Sequence, residues 1–257
     1  MKPLILLTND DGFYSEGIET LFHQLKELGQ IFIVAPDREQ SATSLSLTLH
    51  RPLKVKKVKP NIYAVDGTPA DCVYLAVRKL LPRKPSLLVS GINKGPNLGQ
   101  QDISYSGTVA AAIQGTFLQI PSVAISLSHD ETGKFTFDAA AKIAYRMAKE
   151  LLKKKLPAGV TLNINIPPLL IKGVKIVKLG QKRYNPEILE RIDPRKRTYY
   201  WIGTGNPKAK GDKDSDVMVA KKGYITITPL HTDLTDYQHI QLPLFNDILD
   251  SLEDETF

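Results

Sequence analysis

Leu4-Ile5-Leu6-Leu7-Thr8-Asn9-Asp10-Asp11-Gly12 is a short, unbroken apolar run that ends in amide, acid and glycine. A strand with one wet face alternates polar and apolar residues. This one does not, so both its faces are buried, as in a parallel sheet. Asn-Asp-Asp-Gly then makes the turn at its carboxyl end. Ile18, Leu21, Leu25 and Leu28 follow at helical spacing, and Gly29 stops the helix. Ile31–Ala35 is a second buried strand, closed by Pro36.

The same rhythm continues outward. Val55–Val65 has strand composition broken by Pro60 and Asn61, which predicts a hairpin. Thr68 is an N-cap with Pro69 at the first helical position, and the helix runs to about Leu81. Leu87–Ser90 is another short buried strand, and Val123–Ser126 and Thr161–Ile166 are further strands. Val109–Leu118 and Ala139–Lys154 are the helices between them. The expected fold is α/β: a three-layer, Rossmann-like, mostly parallel sheet over residues 1–168. The remainder, 169–257, differs. Lys175–Tyr200 and Val217–Thr228 have strand composition with no clear helix between them, and Lys208–Asp216 is charged and glycine-containing, as at a hairpin tip. Pro243–Leu252 predicts a terminal helix. This part reads as an antiparallel arm plus a helix, a natural place for subunit contacts.

Bulk composition agrees. The chain has 257 residues, 42% hydrophobic and 24% charged, which excludes disorder, collagen and coiled coil. One cysteine, Cys72, excludes a disulfide scaffold and a cysteine-based zinc site. The apolar run at Leu4–Leu7 is too short for a signal peptide and meets acid at once, and no stretch approaches a membrane span, so the expected location is cytoplasmic. The net charge of +7 favours anionic partners without choosing among them.

Ligands of open α/β sheets collect beyond the carboxyl ends of the strands. Three segments occupy that position: Asn9–Gly12, Pro36–Thr43, and Gly91–Gly99 with its continuation to Thr108. Two adjacent acids repel unless one protonates or a cation joins them. Oxygen ligands without Cys or His point to a hard cation, Mg²⁺ first and Mn²⁺ or Ca²⁺ next. Asp10 and Asp11 supply charge, and Ser41 and Asn93 can supply neutral oxygens. Asn-Asp-Asp-Gly also makes an ordinary turn with capping chemistry. Ser106, Gly107 and Thr108 open the alanine-rich helix, where free N–H groups and the helix dipole favour phosphate; a simple Ser N-cap would look the same. Together these parts fit metal-assisted phosphoryl transfer to water, with Asp10 or Asp11 taking the proton.

Rival chemistries lack their motifs. There is no Gly-x-x-x-x-Gly-Lys-Ser/Thr, no Gly-x-Gly-x-x-Gly after the first strand, no Gly-x-Ser-x-Gly and no His-Glu-x-x-His. Gly12 stands where an aspartyl-phosphate phosphatase would want a second Asp after Asp10. The five histidines show no ligand spacing; His129, just past a strand end, is the one most open to another role.

Seven ordered segments carry a family resemblance: Leu-Thr-Asn-Asp-Asp-Gly at 7–12, Val-Ala-Pro-Asp-Arg-Glu-Gln-Ser-Ala at 34–42, Gly-Thr-Pro-Ala-Asp-Cys-Val at 67–73, Val-Ser-Gly-Ile-Asn-Lys-Gly-Pro-Asn-Leu-Gly at 89–99, Tyr-Ser-Gly-Thr-Val-Ala-Ala-Ala at 105–112, Asn-Ile-Asn-Ile-Pro at 163–167 and Ile-Thr-Pro-Leu at 227–230. The sequence resembles the SurE family of metal-dependent 5'-nucleotidases. That resemblance implies one divalent cation per subunit on Asp10, Asp11, Ser41 and Asn93, and phosphate on Ser106, Gly107 and Thr108. Asp10, Asp11 and Asn93 become the expected catalytic residues. It implies hydrolysis of nucleoside 5'-monophosphates, with 3'-nucleotides and short polyphosphate as secondary substrates. It also implies a homodimer or homotetramer built through the C-terminal arm, with no membrane and no stable nucleic-acid partner. Gln114 replaces the family's frequent Glu, well past the anion site, so activity is expected to survive. The competing reading is a non-enzymatic nucleotide or nucleic-acid binder. It would need steep salt dependence and no turnover, and the chain lacks the interleaved aromatic and basic residues of single-strand binders.

Overall fold

The computed structural model describes residues 2–168, 170–203, 205, 207–210 and 212–253. Its first half runs β1 (Leu4–Thr8), α1 (Glu16–Leu25), β2 (Gln30–Pro36), β3 (Val55–Lys59), β4 (Ile62–Val65) and α2 (Pro69–Leu75), the last continuing as a π-turn over Ala76–Leu80. Then come β5 (Leu87–Lys94), α3 (Gly99–Tyr105), α4 (Gly107–Phe117), β6 (Ser122–Leu127), α5 (Phe137–Leu151) and β7 (Val160–Ile166). The C-terminal part holds β8 (Gly173–Ile176), β9 (Gln181–Arg183), β10 (Ile188–Ile192), β11 (Thr198–Ile202), β12 (Lys208–Lys210), α6 (Asp216–Ala220), β13 (Tyr224–His231) and α7 (Pro243–Glu253).

The main sheet has nine strands in the order β3-β4-β2-β1-β5-β6-β7-β13-β8. β1 lies parallel between β2 and β5, and β6 and β7 continue in parallel. Leu4–Thr8 is buried throughout, as the unbroken apolar run requires. Side chains alternate between two cores. Ile5 and Leu7 face Ile18, Leu21 and Leu25 of α1 and Ala140, Ala141 and Ala144 of α5. Leu4 and Leu6 face Val73 of α2 and Val109, Ala111 and Ala112 of α4. Helices on both faces make the expected three layers. The crossovers bring the ends of β1, β2 and β5 together, so their following loops share one edge.

Three details differ from expectation. The β5 strand extends past Ser90 to Lys94, with its pairing to β6 shifting between Ser90 and Asn93. Lys208–Asp216 is not a hairpin tip: Lys208–Lys210 pairs antiparallel with β9, and α6 begins at Asp216, while Gly211 lies outside the described residues. The tip falls instead between β10 and β11, where the Asp193 carboxyl accepts the Arg195 and Arg197 N–H groups at 2.8 and 2.9 Å. Finally, Val217 and Val219 lie on a helix rather than a strand, because burial outweighs their β-propensity. The strand proper, β13, inserts between β7 (antiparallel) and β8 (parallel).

Both strands of the β10–β11 hairpin are exposed at every residue, and α7 shows Leu244, Phe245, Ile248, Leu249 and Leu252 to solvent. Leu169, where the C-terminal part was expected to start, and residues 254–257 lie outside the described residues. Among the described residues no helix is long and apolar enough to cross a membrane.

Candidate metal and phosphate site

The turn after β1 is built from within. The Asn9 side chain is fully buried and donates to Gly12 O at 3.0 Å and to Ser15 Oγ at 2.7 Å. This pins the backbone so that Asp10 and Asp11 leave the strand end in a fixed order. Asp10 is only 5% exposed. Its carboxyl accepts a hydrogen bond from Thr108 Oγ1, and its carbonyl accepts Gln40 N–H at 2.7 Å. The first turn of α4 therefore presses against it. A Cβ on Gly107 would stand 2.8 Å from Asp10 Cβ and 3.1 Å from Oδ2, so only glycine admits this approach.

Burial pushes the Asp10 carboxyl up from 3.8 to about 6. The Thr108 hydroxyl opposes that, the neighbouring Asp11 charge adds to it, and the N–H groups of Asp10 and Thr108 lower it slightly. Asp11 is half-buried and also displaced upward, chiefly by burial. The Lys94 N–H, 3.4 Å from Oδ2, and the Lys94 ammonium pull it down, while Glu39 pushes it up. Two neighbouring acids, both held above their ordinary range, favour proton or cation uptake.

Asp10, Asp11, Ser41, Asn93 and Ser106 line one cleft of about 910 Å³. The Asn93 side-chain nitrogen is committed to Gly95 O at 2.9 Å, which leaves its Oδ1 as the acceptor. Ser41 Oγ donates to Glu39 at 2.7 Å, and Glu39 also lines the cleft. Gly107 and Thr108 lie directly behind Asp10 rather than among the lining residues. Thr108 is fully buried with its hydroxyl given to Asp10, and Ser106 Oγ caps α4 through Val109 N–H at 3.1 Å. The Gly107 and Thr108 amides remain the first-turn donors that a helix leaves without an intrahelical partner. His129 is not in the cleft; its Nδ1 is 2.7 Å from Asp130 O.

Among the described residues no three His, Cys, Asp or Glu side chains cluster as a metal cage. Two carboxyls with a hydroxyl and an amide oxygen form a lightly charged, all-oxygen set that suits a hard cation retaining water.

The rear of the cleft was not visible in the sequence. Asn97 is locked to the sheet: its N–H donates to Asn165 Oδ1 at 2.7 Å, its Nδ2 to Ser126 Oγ at 2.7 Å, and its carbonyl accepts from Asn163 and Asn165. Asp102 takes Lys182 Nζ at 2.6 Å. Tyr184 and Ile202, from either side of the hairpin, complete the wall with Tyr105. Of these, only the Asn-Ile-Asn pattern at 163–165 carried a signal, two buried amides on one face of a strand.

A family model described as Survival protein SurE matches residues 5–186. The chain is 46% identical over 239 residues to the 5'-nucleotidase SurE of Geotalea daltonii, covering 92% of this chain and 96% of that one. It is 48% identical over 244 residues to the 5'-nucleotidase SurE of Pelotomaculum thermopropionicum, covering 91% of each. The crystal structure of the SurE protein from Aquifex aeolicus superposes with a TM-score of 0.81 at 41% identity, covering 95% of this chain and all of that one.

Proposed function

The chain belongs to the SurE family, and on that footing we propose that it is a divalent-metal-dependent 5'-nucleotidase, hydrolysing nucleoside 5'-monophosphates to nucleoside and phosphate. The observation that carries this reading is Asp10: a nearly buried carboxyl with one side-chain hydrogen bond, beside a second acid and against a helix N-terminus.

The donor chemistry fits a divalent cation on Asp10, Asp11, Ser41 and Asn93, with Mg²⁺ or Mn²⁺ as the proposed ions. When bound, such a cation lowers the pKa of a water and polarises a phosphoryl oxygen. The chain's own residues do the rest. Thr108 holds Asp10 in one orientation. Ser106, which lines the cleft at the start of α4, and the helix dipole behind it favour the equatorial oxygens of the phosphoryl group, with Gly107 and Thr108 backing Asp10. Asp11, the more open of the two acids, takes the proton of the attacking water. The water oxygen bonds to phosphorus, the bond to the ribose oxygen breaks, and that oxygen takes the proton back from Asp11 as the nucleoside leaves. Asn93 and Ser106 border the same space. The hairpin and α7, with their exposed apolar side chains, are the proposed surfaces of self-association into a dimer or tetramer. The proposed location is the cytoplasm.

Phosphate release from purine and pyrimidine 5'-monophosphates, 3'-monophosphates and short polyphosphate, with Mg²⁺, Mn²⁺ or chelator, tests the reading. Release from 5'-monophosphates that stops in EDTA and returns with metal is expected. Undiminished release in chelator, or none from any nucleotide with metal, would overturn it.

A further inference from the structure

The segment Gly67–Val73 plays no part in the chemistry above, yet Asp71 at its centre is 3% exposed. Thr68 and Asp71 form a capping box: Asp71 N–H donates to Thr68 Oγ1 at 3.1 Å, and Thr68 N–H to Asp71 Oδ2 at 2.9 Å. That accounts for one carboxyl oxygen. The other, Oδ1, accepts Thr48 N–H at 2.9 Å, and Thr48 Oγ1 donates to Oδ2 at 2.7 Å. Thr68 Oγ1 in turn donates to Ser46 O at 2.7 Å. Gly67 makes the approach possible, since a Cβ there would meet Asp71 Oδ2 at 2.7 Å and Leu53 Cδ2 at 2.8 Å. The helix cap is thus also a latch on a segment more than twenty residues upstream.

That segment, residues 37–54, joins β2 to β3 without regular structure and carries Ser41 and Ala42 into the cleft. Ala42 and Ser44 hold φ of 59° and 53°, a region unfavourable for residues with a Cβ, which persists only where the surroundings impose it. On the cleft side, Ser44 N–H and Oγ donate to Tyr105 O and Ser104 O at 3.1 and 2.8 Å. On the far side the anchor nearest the cleft is Asp71. Between Ser44 and Thr48, Leu45 and Leu47 are partly exposed, and only beyond the latch is the segment held again, by Leu53 on the core and by Arg51 and the Lys54 N–H on Asp66.

We infer that Asp71 is a positioning residue, which through Thr48 and Ser46 holds the Ser41–Ser44 turn against the cleft so that nucleotide meets a formed wall. This deepens the proposed nucleotidase reading and rests on it. The test compares Asp71→Asn, Thr48→Val and Thr48→Ser with the parent chain. Thr48→Val removes one hydroxyl from a half-buried surface residue, and so stays interpretable if Asp71→Asn does not fold. Hydrogen exchange of residues 42–50 in metal-free protein, and kcat and KM for a nucleoside 5'-monophosphate, are read together. Asp71→Asn and Thr48→Val are expected to speed exchange in 42–50 and to raise KM about tenfold with kcat changed far less, while Thr48→Ser keeps parent values. Unchanged exchange, or faster exchange with KM unmoved, would overturn the latch. A parent chain that releases no phosphate would instead overturn the nucleotidase reading, and the exchange measurement would still judge the latch.

Discussion

Asp10 at the end of β1 and Asp216 at the start of α6 are both buried acids, and the protein surrounds them in opposite ways. Asp216 accepts the N–H groups of Gly99, Gly180 and Val217, each at 2.7 Å, and so ties the cleft loop to the C-terminal part. Asp10 has one hydroxyl, from Thr108, and a second acid beside it. A buried acid with three amide donors is a structural bracket. One with a single side-chain donor and a like-charged neighbour, pushed above its ordinary range by burial, is a group kept short of partners. The contrast separates residues that hold the cleft together from residues that wait for something to enter it.

The sharpest way to break that contrast is to neutralise each acid in turn. Asp10→Asn or Asp11→Asn should lower metal-dependent phosphate release by about a thousandfold or more while the far-ultraviolet circular dichroism stays that of the parent. Retained turnover would place Asp10 with the brackets.

Stability should move the other way. With its carboxyl raised from 3.8 to about 6, Asp10 favours the fold in its neutral form. That contribution is full below about pH 4 and is lost as pH rises through about 6. In chelator at pH 8, Asp10→Asn should therefore be more stable than the parent by up to about 3 kcal/mol in urea unfolding, with the gap closing by pH 4. Asp216→Asn should do the reverse, costing about 2 kcal/mol because an amide cannot accept all three N–H groups. Equal effects of the two substitutions would erase the distinction. At the small end, Gln114 is buried in α4 away from the cleft, and Gln114→Glu should change kcat/KM by no more than about twofold.

The sequence was readable where burial leaves a local trace. Parallel strands with two buried faces appear as unbroken runs, so Leu4–Thr8, Ile31–Ala35 and Leu87–Ser90 were visible, and with them the segments that place Asp10, Ser41 and Asn93. What stayed hidden depends on partners distant in sequence. The Thr108 hydroxyl reads as part of a helix start and says nothing of Asp10, 98 residues earlier. Asp216 meets Gly99 across 117 residues, and Asp71 meets Thr48 across 23. The α6 valines were taken for a strand because β-branched residues carry that bias until tertiary packing overrides it.

One measurement bears most directly on Asp10 as a group that awaits a cation: thermal unfolding of the parent chain and Asp10→Asn at pH 8, each in EDTA and in Mn²⁺. The account predicts a crossing, with Asp10→Asn the more stable in EDTA, and Mn²⁺ raising the parent's Tm by several degrees but leaving the variant's unmoved. A parent that Mn²⁺ does not stabilise, or a variant stabilised equally, would contradict it.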